Sequence, residues 1–591
     1  KNSMLHYLVS LEDPNGHYLD VTLQATVTPR QLPAQENGAP VLNLWLPTWI
    51  PGSYLIREFS RNVVSFSARL NTLDCQWQKP TKNRWQVELP VEYAGQEDCV
   101  LECQWRVYCW DLSVRGAHFD QTHAFFNGTS LFLMPEGMEQ DAIEMTLSRP
   151  ACEAEPWLVA TGLPYAEDQT REQIAKLTDG CQILPTGGSL KYRADTYEAL
   201  LDHPFEMGRL HTAEFTVCGV SHYFAVYGAD DDLDLDRICS DLTPVCEAQI
   251  RMFSPEGKAP FDCYYFLLHA TDKGYGGLEH RNSTALLCNR EDLPQKGVKE
   301  PPKGYEQFMG LCSHEYFHSW NVKRIKPEVF TPYELNNESY TRLLWVFEGF
   351  TSYYDDLMLA RGGFHDEKAY LNALCKSIAQ VMKGPGRVLQ SVSESSFEAW
   401  TKYYRQDENA PNAIVSYYTK GALVALCLDL TIRKKTNGDK SLDDVMRFLW
   451  AHHGETGKGV PERAMPNIVE QATGVNLTAE INAWTNGTED LPLTELLNEF
   501  GCDLNVDDEG RQCGLGVVGA ISSEGMKVRS VLNGSPTHEA GVAAGDVLVS
   551  IGPRKLTDKN LKRFLQGTAP GTPVLLVGFR AESLMTFDVM T

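Results

Sequence analysis

Residues 305–320, YEQFMGLCSHEYFHSW, determine the fold at the centre of this chain. Their apolar residues recur at helical spacing, and His314 and His318 stand four positions apart. Residues at i and i+4 share one helix face, so both imidazoles can bind the same cation. Glu315 lies next to His314 and can reach a water bound to that cation. The segment therefore predicts a helical metal site in which two histidines are ligands and Glu315 is a base.

A third ligand is expected from the second apolar helical pattern, WVFEGFTSYYDDLMLA at 345–360. A catalytic zinc ion needs three protein ligands and an open position for water. Glu348 lies between Trp345, Phe347 and Phe350, where a buried carboxylate is costly unless a cation compensates it. We therefore expect Glu348 to be the third ligand. The alternative is a glutamate at the exposed edge of an amphipathic helix.

The composition excludes several classes of protein. With 591 residues, of which 43% are hydrophobic, the chain should form several domains. Its formal net charge of −25 would repel phosphate backbones, which argues against nucleic-acid binding. No apolar run is long enough to span a membrane, and the start of the sequence does not resemble a signal peptide. The 16 scattered cysteines favour buried thiols in the cytoplasm, although a periplasmic location remains open if a signal peptide was removed.

The pattern of apolar and polar residues changes along the chain and predicts a multidomain α+β protein. Alternating apolar and polar residues over 1–205 are typical of an antiparallel β-sandwich. Residues 206–362 mix strand and helix patterns and predict an α/β domain that contains the metal site. Residues 363–500 predict a helical domain, and the short strands and glycine turns of 501–591 predict a small β-rich domain.

Several stretches in the right order resemble the glycyl aminopeptidase family, whose members are PDZ-bearing relatives of the thermolysin-like and aminopeptidase N-like gluzincins. The resemblance extends over nearly the whole chain: it is carried by HEYFHSWNVKRIKP at 314–327 and WVFEGFTSYY at 345–354, and by WIPGSYLIREFSRNV at 49–63, FFNGTSLF at 125–132, HPFEMG at 203–208 and GYGGLEH at 274–280. It implies an N-terminal β domain, a thermolysin-like catalytic domain with one Zn²⁺ per chain, a helical domain and a PDZ domain. It also implies release of small N-terminal residues from peptides.

The GYGGLEH motif is the candidate substrate-binding segment. Gly276 and Gly277 allow an extended peptide to approach the backbone closely. In the aminopeptidase N-like relatives a Gly-x-Met-Glu-Asn motif supplies a glutamate that binds the free amino group, and Glu279 matches that glutamate. Leu278 and His280 depart from the Met and Asn of the pattern. The alternative is a simple turn with a solvated acid.

A tyrosine is the candidate oxyanion stabiliser. The segment YTKG at 418–421 resembles the Tyr-x-Lys-Gly of the same relatives, in which the tyrosine hydroxyl points at the scissile carbonyl. That role falls on Tyr418, because a phenol can donate to a developing oxyanion without ionising. The adjacent Tyr417 and a purely structural tyrosine remain alternatives.

The C-terminal stretch contains a misleading glycine motif. Gly514, Gly516 and Gly519 spell Gly-x-Gly-x-x-Gly, but strand and turn patterns follow where a dinucleotide-binding fold needs a helix. CGLGV at 513–517 and SVLNGSPTHEAGVAAGDVLVSIG at 530–552 instead resemble a PDZ domain, in which Gly514, Leu515 and Gly516 would present N–H groups to a peptide carboxylate. The domain could bind peptides or pack against its own chain.

The sequence is compatible with three functions, and a peptide is the expected partner in each. The first is a zinc aminopeptidase that releases Gly or Ala, and the second is a zinc endopeptidase that recruits polypeptides through its PDZ domain. The third is a PDZ scaffold whose metal site has decayed, which the intact ligand set disfavours. The sequence leaves the oligomeric state open.

Overall fold

The computed structural model describes residues 4–166, 179–505 and 514–591. The chain divides into two compact units. The first comprises the described residues of Lys1–Ser339, Tyr354–Tyr370 and Leu449–Val460, and the second those of Tyr340–Tyr353, Leu371–Phe448 and Pro461–Thr591. No helix among the described residues is both long and apolar enough to cross a lipid bilayer.

The N-terminal part of the first unit is rich in strands. They alternate between buried and exposed positions, most regularly in β8, as one-sided burial of a sheet requires. The strands are β1 (Leu5–Asp13), β2 (Tyr18–Val27), β3 (Val41–Trp45), β4 (Val63–Leu70), β5 (Leu73–Asp74), β6 (Gln76–Gln78), β7 (Arg84–Glu88), β8 (Cys99–Tyr108), β9 (Ala117–Phe119), β10 (His123–Phe126), β11 (Met134–Pro135), β12 (Ile143–Ser148), β13 (Trp157–Ala160), β14 (Gln182–Leu184), β15 (Ser189–Ala194) and β16 (Phe205–Gly208).

These strands form three sheets. A seven-stranded sheet has the order β15-β12-β1-β2-β8-β4-β5, a five-stranded sheet β14-β13-β16-β10-β9 and a four-stranded sheet β11-β3-β7-β6. Most pairs are antiparallel, but β1 and β12 are parallel. The predicted β-rich character of this region is confirmed.

A mixed sheet and two long helices form the rest of the first unit's core. The sheet has the order β17-β18-β19-β21-β20, in which β18, β19 and β21 run parallel. The helix that contains His314, α3 (Tyr305–Phe317), packs against the strands β20 (Gly276–Glu279) and β21 (Ser283–Asn289) of this sheet. The elements are the short helix α1 (Tyr197–Leu201), β17 (His211–Val217), β18 (Val220–Tyr227), α2 (Leu235–Phe253), β19 (Cys263–Thr271), β20 (Gly276–Glu279), β21 (Ser283–Asn289) and α3 (Tyr305–Phe317).

The second helical pattern of the sequence begins with a π-helical turn, Trp345–Phe350, which continues directly into α4 (Thr351–Arg361). Residues 363–500, predicted to be helix-rich, contain eight α-helices joined by turns and loops. Its helices are α5 (Glu367–Lys383), α6 (Val392–Phe397), α7 (Ala410–Ala413), α8 (Thr419–Lys435), α9 (Leu442–Leu449), α10 (Met465–Thr473), α11 (Thr478–Asn486) and α12 (Leu493–Glu499).

The C-terminal part of the second unit is a small sheet with two helices. The sheet has the order β22-β23-β24-β26-β27, with β25 paired to β24, and Leu548, Leu576 and Phe587 lie in its core. The elements are β22 (Val517–Ser522), β23 (Gly525–Val531), α13 (Pro536–Glu539), β24 (Val547–Ile551), β25 (Arg554–Lys555), α14 (Asp558–Gly567), β26 (Pro573–Arg580) and β27 (Ser583–Met590).

Candidate metal centre

The two histidines of the central motif lie at the end of α3. His314 occupies the last turn of the helix, and His318 follows the helix directly and donates its backbone N–H to the His314 carbonyl. Buried residues such as Phe308 and Met309 hold the helix against the protein interior. Cys312 is also fully buried, and burial raises the pKa of its thiol well above the ordinary value. It therefore packs in the core and is not a nucleophile.

Hydrogen bonds fix the orientation of both imidazole rings. His314 Nδ1 lies 2.8 Å from Asp355 Oδ2, and His318 Nδ1 lies 2.6 Å from the Asn321 carbonyl oxygen. A carbonyl can only accept, so Nδ1 of His318 carries the proton. Burial raises the pKa of Asp355, while the hydrogen bond with His314 lowers it. With protons on both Nδ1 atoms, the neutral rings have lone pairs on both Nε2 atoms.

These two Nε2 atoms lie 3.1 Å apart. Two unprotonated nitrogens cannot hydrogen-bond to one another, but their lone pairs can both be donated to one cation. Two zinc–nitrogen bonds of 2.0–2.1 Å at a tetrahedral angle would separate the nitrogens by about 3.3 Å. The donor atoms therefore fit a divalent transition-metal ion, and Asp355 and the Asn321 carbonyl orient the two imidazoles.

Two buried carboxylates accompany the histidines in the first unit. Glu315 is 5% exposed and Glu279 is 3% exposed. A carboxylate oxygen of each, together with a ring nitrogen of His318, forms a group whose atoms all lie within 4.8 Å of one another. A Cβ atom on Gly277 would come within 2.7 Å of Glu315 Oε1, so glycine at this position lets β20 approach α3. The structure thus brings His314, His318, Glu315 and Glu279 together.

Glu279 ends the edge strand β20. Its Oε1 is buried and has no hydrogen-bond partner among the residues that the structure describes. The neighbouring His280 pairs with Asp202 through Nδ1 at 3.0 Å, and Lys323 Nζ lies 3.1 Å from the same carboxylate oxygen. The glutamate is therefore a buried acceptor with capacity for a ligand.

Glu348 and Tyr418 lie in the second unit, next to one another. Glu348 is 1% exposed in the π-helical turn, and π-helical turns are frequent at functional sites. A Cβ atom on Gly349 would lie 2.6 Å from Gly421 Cα, so the two glycines let the start of α8 pack against this turn. That contact places Tyr418, which precedes α8, beside the Glu348 carboxylate.

The surroundings of Tyr418 keep its hydroxyl protonated. Burial and then the Glu348 carboxylate raise its pKa well above the ordinary value. Its Oη lies 3.1 Å from Tyr404 Oη. Tyr418 is partly exposed, whereas Tyr417 is completely buried. The geometry thus makes Tyr418 the more accessible hydrogen-bond donor of the two.

The glycine loop of the C-terminal sheet precedes β22. Gly516 has a positive φ of 77°, and its carbonyl accepts from the Leu532 N–H. The Leu515 side chain packs in the core, and its carbonyl accepts from the N–H and hydroxyl of Thr537. Gly514 has open space around its Cα.

Sequence reasoning missed Asp355, Asn321 and Tyr404. The spacing did contain information on Asp355, which follows Glu348 by seven residues, or two helical turns on one face. The Asn321 carbonyl and the Tyr404 hydroxyl come from connecting segments whose position no periodicity predicts.

Comparisons with known proteins agree on one family. A family model described as M61 glycyl aminopeptidase matches residues 307–424, and one described as the peptidase M61 N-terminal domain matches 6–209. An aminopeptidase N family protein from Idiomarina loihiensis is 39% identical, with 99% of this chain and 96% of that chain covered and a TM-score of 0.89.

More distant structures also match. The M1 zinc metallopeptidase from Deinococcus radiodurans is 16% identical, with 83% of this chain and 94% of that chain covered and a TM-score of 0.49. Legionella pneumophila aminopeptidase A in complex with aspartic acid is 14% identical, with 82% of this chain and 49% of that chain covered and a TM-score of 0.48. These two similarities are too low to support an argument. The comparison with curated proteins gave no match. The extent and identity of the Idiomarina match, together with both family models, show that the chain belongs to the M61 glycyl aminopeptidase family.

Proposed function

We propose that this protein is a zinc aminopeptidase that releases small N-terminal residues, with one Zn²⁺ held by His314, His318 and Glu348. The observation that carries the proposal is the pair of Nε2 atoms 3.1 Å apart, with both Nδ1 atoms engaged by other partners.

A second group of three potential ligands, Glu279, Glu315 and His318, is less suited to zinc. It contains one nitrogen and two carboxylates, whereas catalytic zinc sites of this kind use two histidines and one glutamate. Placing the metal between the histidines leaves Glu279 and Glu315 beside it. Both are then available for substrate and solvent.

The residues have distinct roles in the proposed reaction. A zinc ion bound there would lower the pKa of a water molecule and polarise the peptide carbonyl. Glu315 accepts the proton of the attacking water and passes it to the leaving amine. The Tyr418 hydroxyl, which burial keeps protonated, donates to the oxyanion as the tetrahedral intermediate forms.

Amine recognition is assigned to Glu279. A buried carboxylate with an acceptor oxygen that has no partner among the described residues favours a cationic ligand such as an α-ammonium group. Strand β20 is a sheet edge, so Gly276 and Gly277 can pair with the extended backbone of a peptide. The preference for Gly or Ala rests on the family to which the chain belongs.

For the C-terminal region we propose a PDZ domain over 501–591. The proposal is supported by the glycine loop before an edge strand, β22, since such a strand can pair with a peptide. We also propose a cytoplasmic location, which is supported by the fifteen described cysteines, all of which are free thiols.

The test is hydrolysis of free and N-acetylated Gly and Ala p-nitroanilides by the zinc-loaded protein. We expect cleavage of the free amines only, and a loss of about 10²- to 10⁴-fold in kcat for Glu315→Gln with zinc retained. Equal cleavage of N-blocked peptides would replace the aminopeptidase with an endopeptidase. Full activity of Glu315→Gln would refute both.

The role of Tyr418 has a matched control beside it. Removal of one oxyanion donor lowers kcat by about 10²- to 10³-fold, which we expect for Tyr418→Phe. Tyr417→Phe removes the same hydroxyl from the adjacent, fully buried position and should leave kcat within about twofold. Equal losses in the two variants would contradict the assignment.

A further inference from the structure

A second cleft of the first unit has no part in the proposed reaction. It encloses about 1310 Å³. Aromatic side chains, among them Tyr265 and Trp450, line it together with Arg281 and Arg324. None of the proposed metal-binding, basic or amine-binding residues is among its lining residues.

Neither arginine has a carboxylate partner among the residues that the structure describes. Arg324 is 8% exposed, and its Nη1 donates to two neutral acceptors, the carbonyls of Arg281 at 2.9 Å and Ser319 at 2.8 Å. Within residues 4–166, 179–505 and 514–591, neither guanidinium forms an ion pair with a carboxylate. Buried charges are ordinarily paired, so a bound anion would stabilise the Arg324 guanidinium in this cleft.

The buried acid whose charge acts on Arg324 already has other partners. Asp202 pairs with Lys323 and His280 through the same oxygen, Oδ1. Burial and the charge of Arg281 lower the pKa of Arg324 to about 9, and Asp202 only partly opposes them. The acidic residues that line the cleft, Glu256, Asp262 and Glu455, are exposed and solvated.

We propose that Arg281 and Arg324 bind a small oxyanion, a phosphate or a carboxylate, in this cleft. A guanidinium matches both groups because its N–H donors can contact two oxygens at once. Arg281 follows Glu279 by two residues, and Ser319 follows His318 by one. Arg324 donates to the carbonyls of both Arg281 and Ser319, so it links the segment after β20 to the segment after α3. The anion would therefore neutralise the charge of this linking side chain.

Isothermal titration of the zinc-loaded protein with inorganic phosphate and, separately, with acetate tests the site. We expect saturable binding of at least one anion, and at least tenfold weaker binding by Arg281→Gln. Arg281 is exposed, so this variant should fold. Arg69→Gln, which changes an exposed arginine of the N-terminal sheet, should bind like the wild type.

The choice of anion and of variants separates the outcomes. Preference for phosphate identifies the ligand as a phosphate, and preference for acetate identifies it as a carboxylate. A His318→Gln variant should retain the binding, because the site does not depend on the metal or on peptidase activity. Absence of binding by both anions, unchanged binding by Arg281→Gln, or loss of binding in His318→Gln would overturn the proposal.

Discussion

Two groups of histidines lie in the same unit, and they differ in how their ring nitrogens are hydrogen-bonded. In the group at the end of α3, Asp355 and the Asn321 carbonyl engage both Nδ1 atoms, and the Nε2 atoms of His314 and His318 lie 3.1 Å apart. Every ring nitrogen there has a defined direction.

The second group consists of His118, His123, His269 and Glu206 around a small cavity. Its rings pack on one another, with centroids 5.7 Å apart for His118 and His123 and 4.8 Å for His123 and His269. Nδ1 of His118 and of His123 has no hydrogen-bond partner among the described residues. No three ligand atoms of this group come within 4.8 Å of one another in the described chain.

The comparison shows that the number of histidines does not make a metal site. Metal binding also requires hydrogen-bond acceptors at the Nδ1 atoms of the rings. Such acceptors fix the tautomer, so that the Nε2 lone pairs can point to one position. In the second group burial instead keeps the groups neutral, since it lowers the pKa of His123 to about 3 and raises that of Glu206 to about 8. His123 Nε2 and Glu206 Oε1 are hydrogen-bonded to each other.

The largest difference is expected when one histidine is removed from each group. His318→Gln should abolish stoichiometric zinc and with it peptidase activity, because two of three protein ligands cannot hold the ion tightly. His123→Gln should keep one zinc per chain. Metal analysis by mass spectrometry after dialysis measures both, and zinc loss in His123→Gln would show that the second group is the metal site.

A smaller effect is expected from the residue behind the ligand. Asp355→Ala removes the acceptor of His314 Nδ1 and should weaken zinc binding by about 10- to 100-fold. Asp356→Ala alters the adjacent, partly buried carboxylate and serves as the matched control. Competition with a chromogenic chelator gives both affinities. Equal affinities would mean that ring orientation does not depend on Asp355.

The contrast also shows what the sequence could and could not predict. His314 and His318 were predictable because their spacing alone places them on one helix face. Glu206, His123 and His269 come from three separate strands, and no spacing rule brings them together. Strand pairing has the same limit: β1 pairs in parallel with β12, where Leu5 lies opposite Ile143, so the three N-terminal sheets could not be distinguished by alternation alone.

A change in the pH dependence of stability, with no change in metal binding, is expected at Glu206. The unfolded chain loses this proton near the ordinary pKa of 4.5, whereas the folded protein keeps it up to about pH 8. The folded state therefore binds more protons between these limits, and the Glu206 contribution to stability is lost as pH rises through them. The maximal slope is about 1.4 kcal/mol per pH unit.

Glu206→Gln removes this loss and keeps a neutral side chain of the same size beside His123. The lowered pKa of His123 acts in the opposite direction, below pH 6.5, and is common to both proteins, so it cancels in the difference. The free energy of unfolding of the variant, relative to the wild type, should therefore rise between pH 5 and pH 8 in urea titrations. Exposed Glu12→Gln should give a curve parallel to the wild type. If Glu206→Gln also runs parallel, the carboxylate is ionised in the folded protein, and the second group, with an anion beside three imidazoles, is closer to a metal site than its geometry indicates.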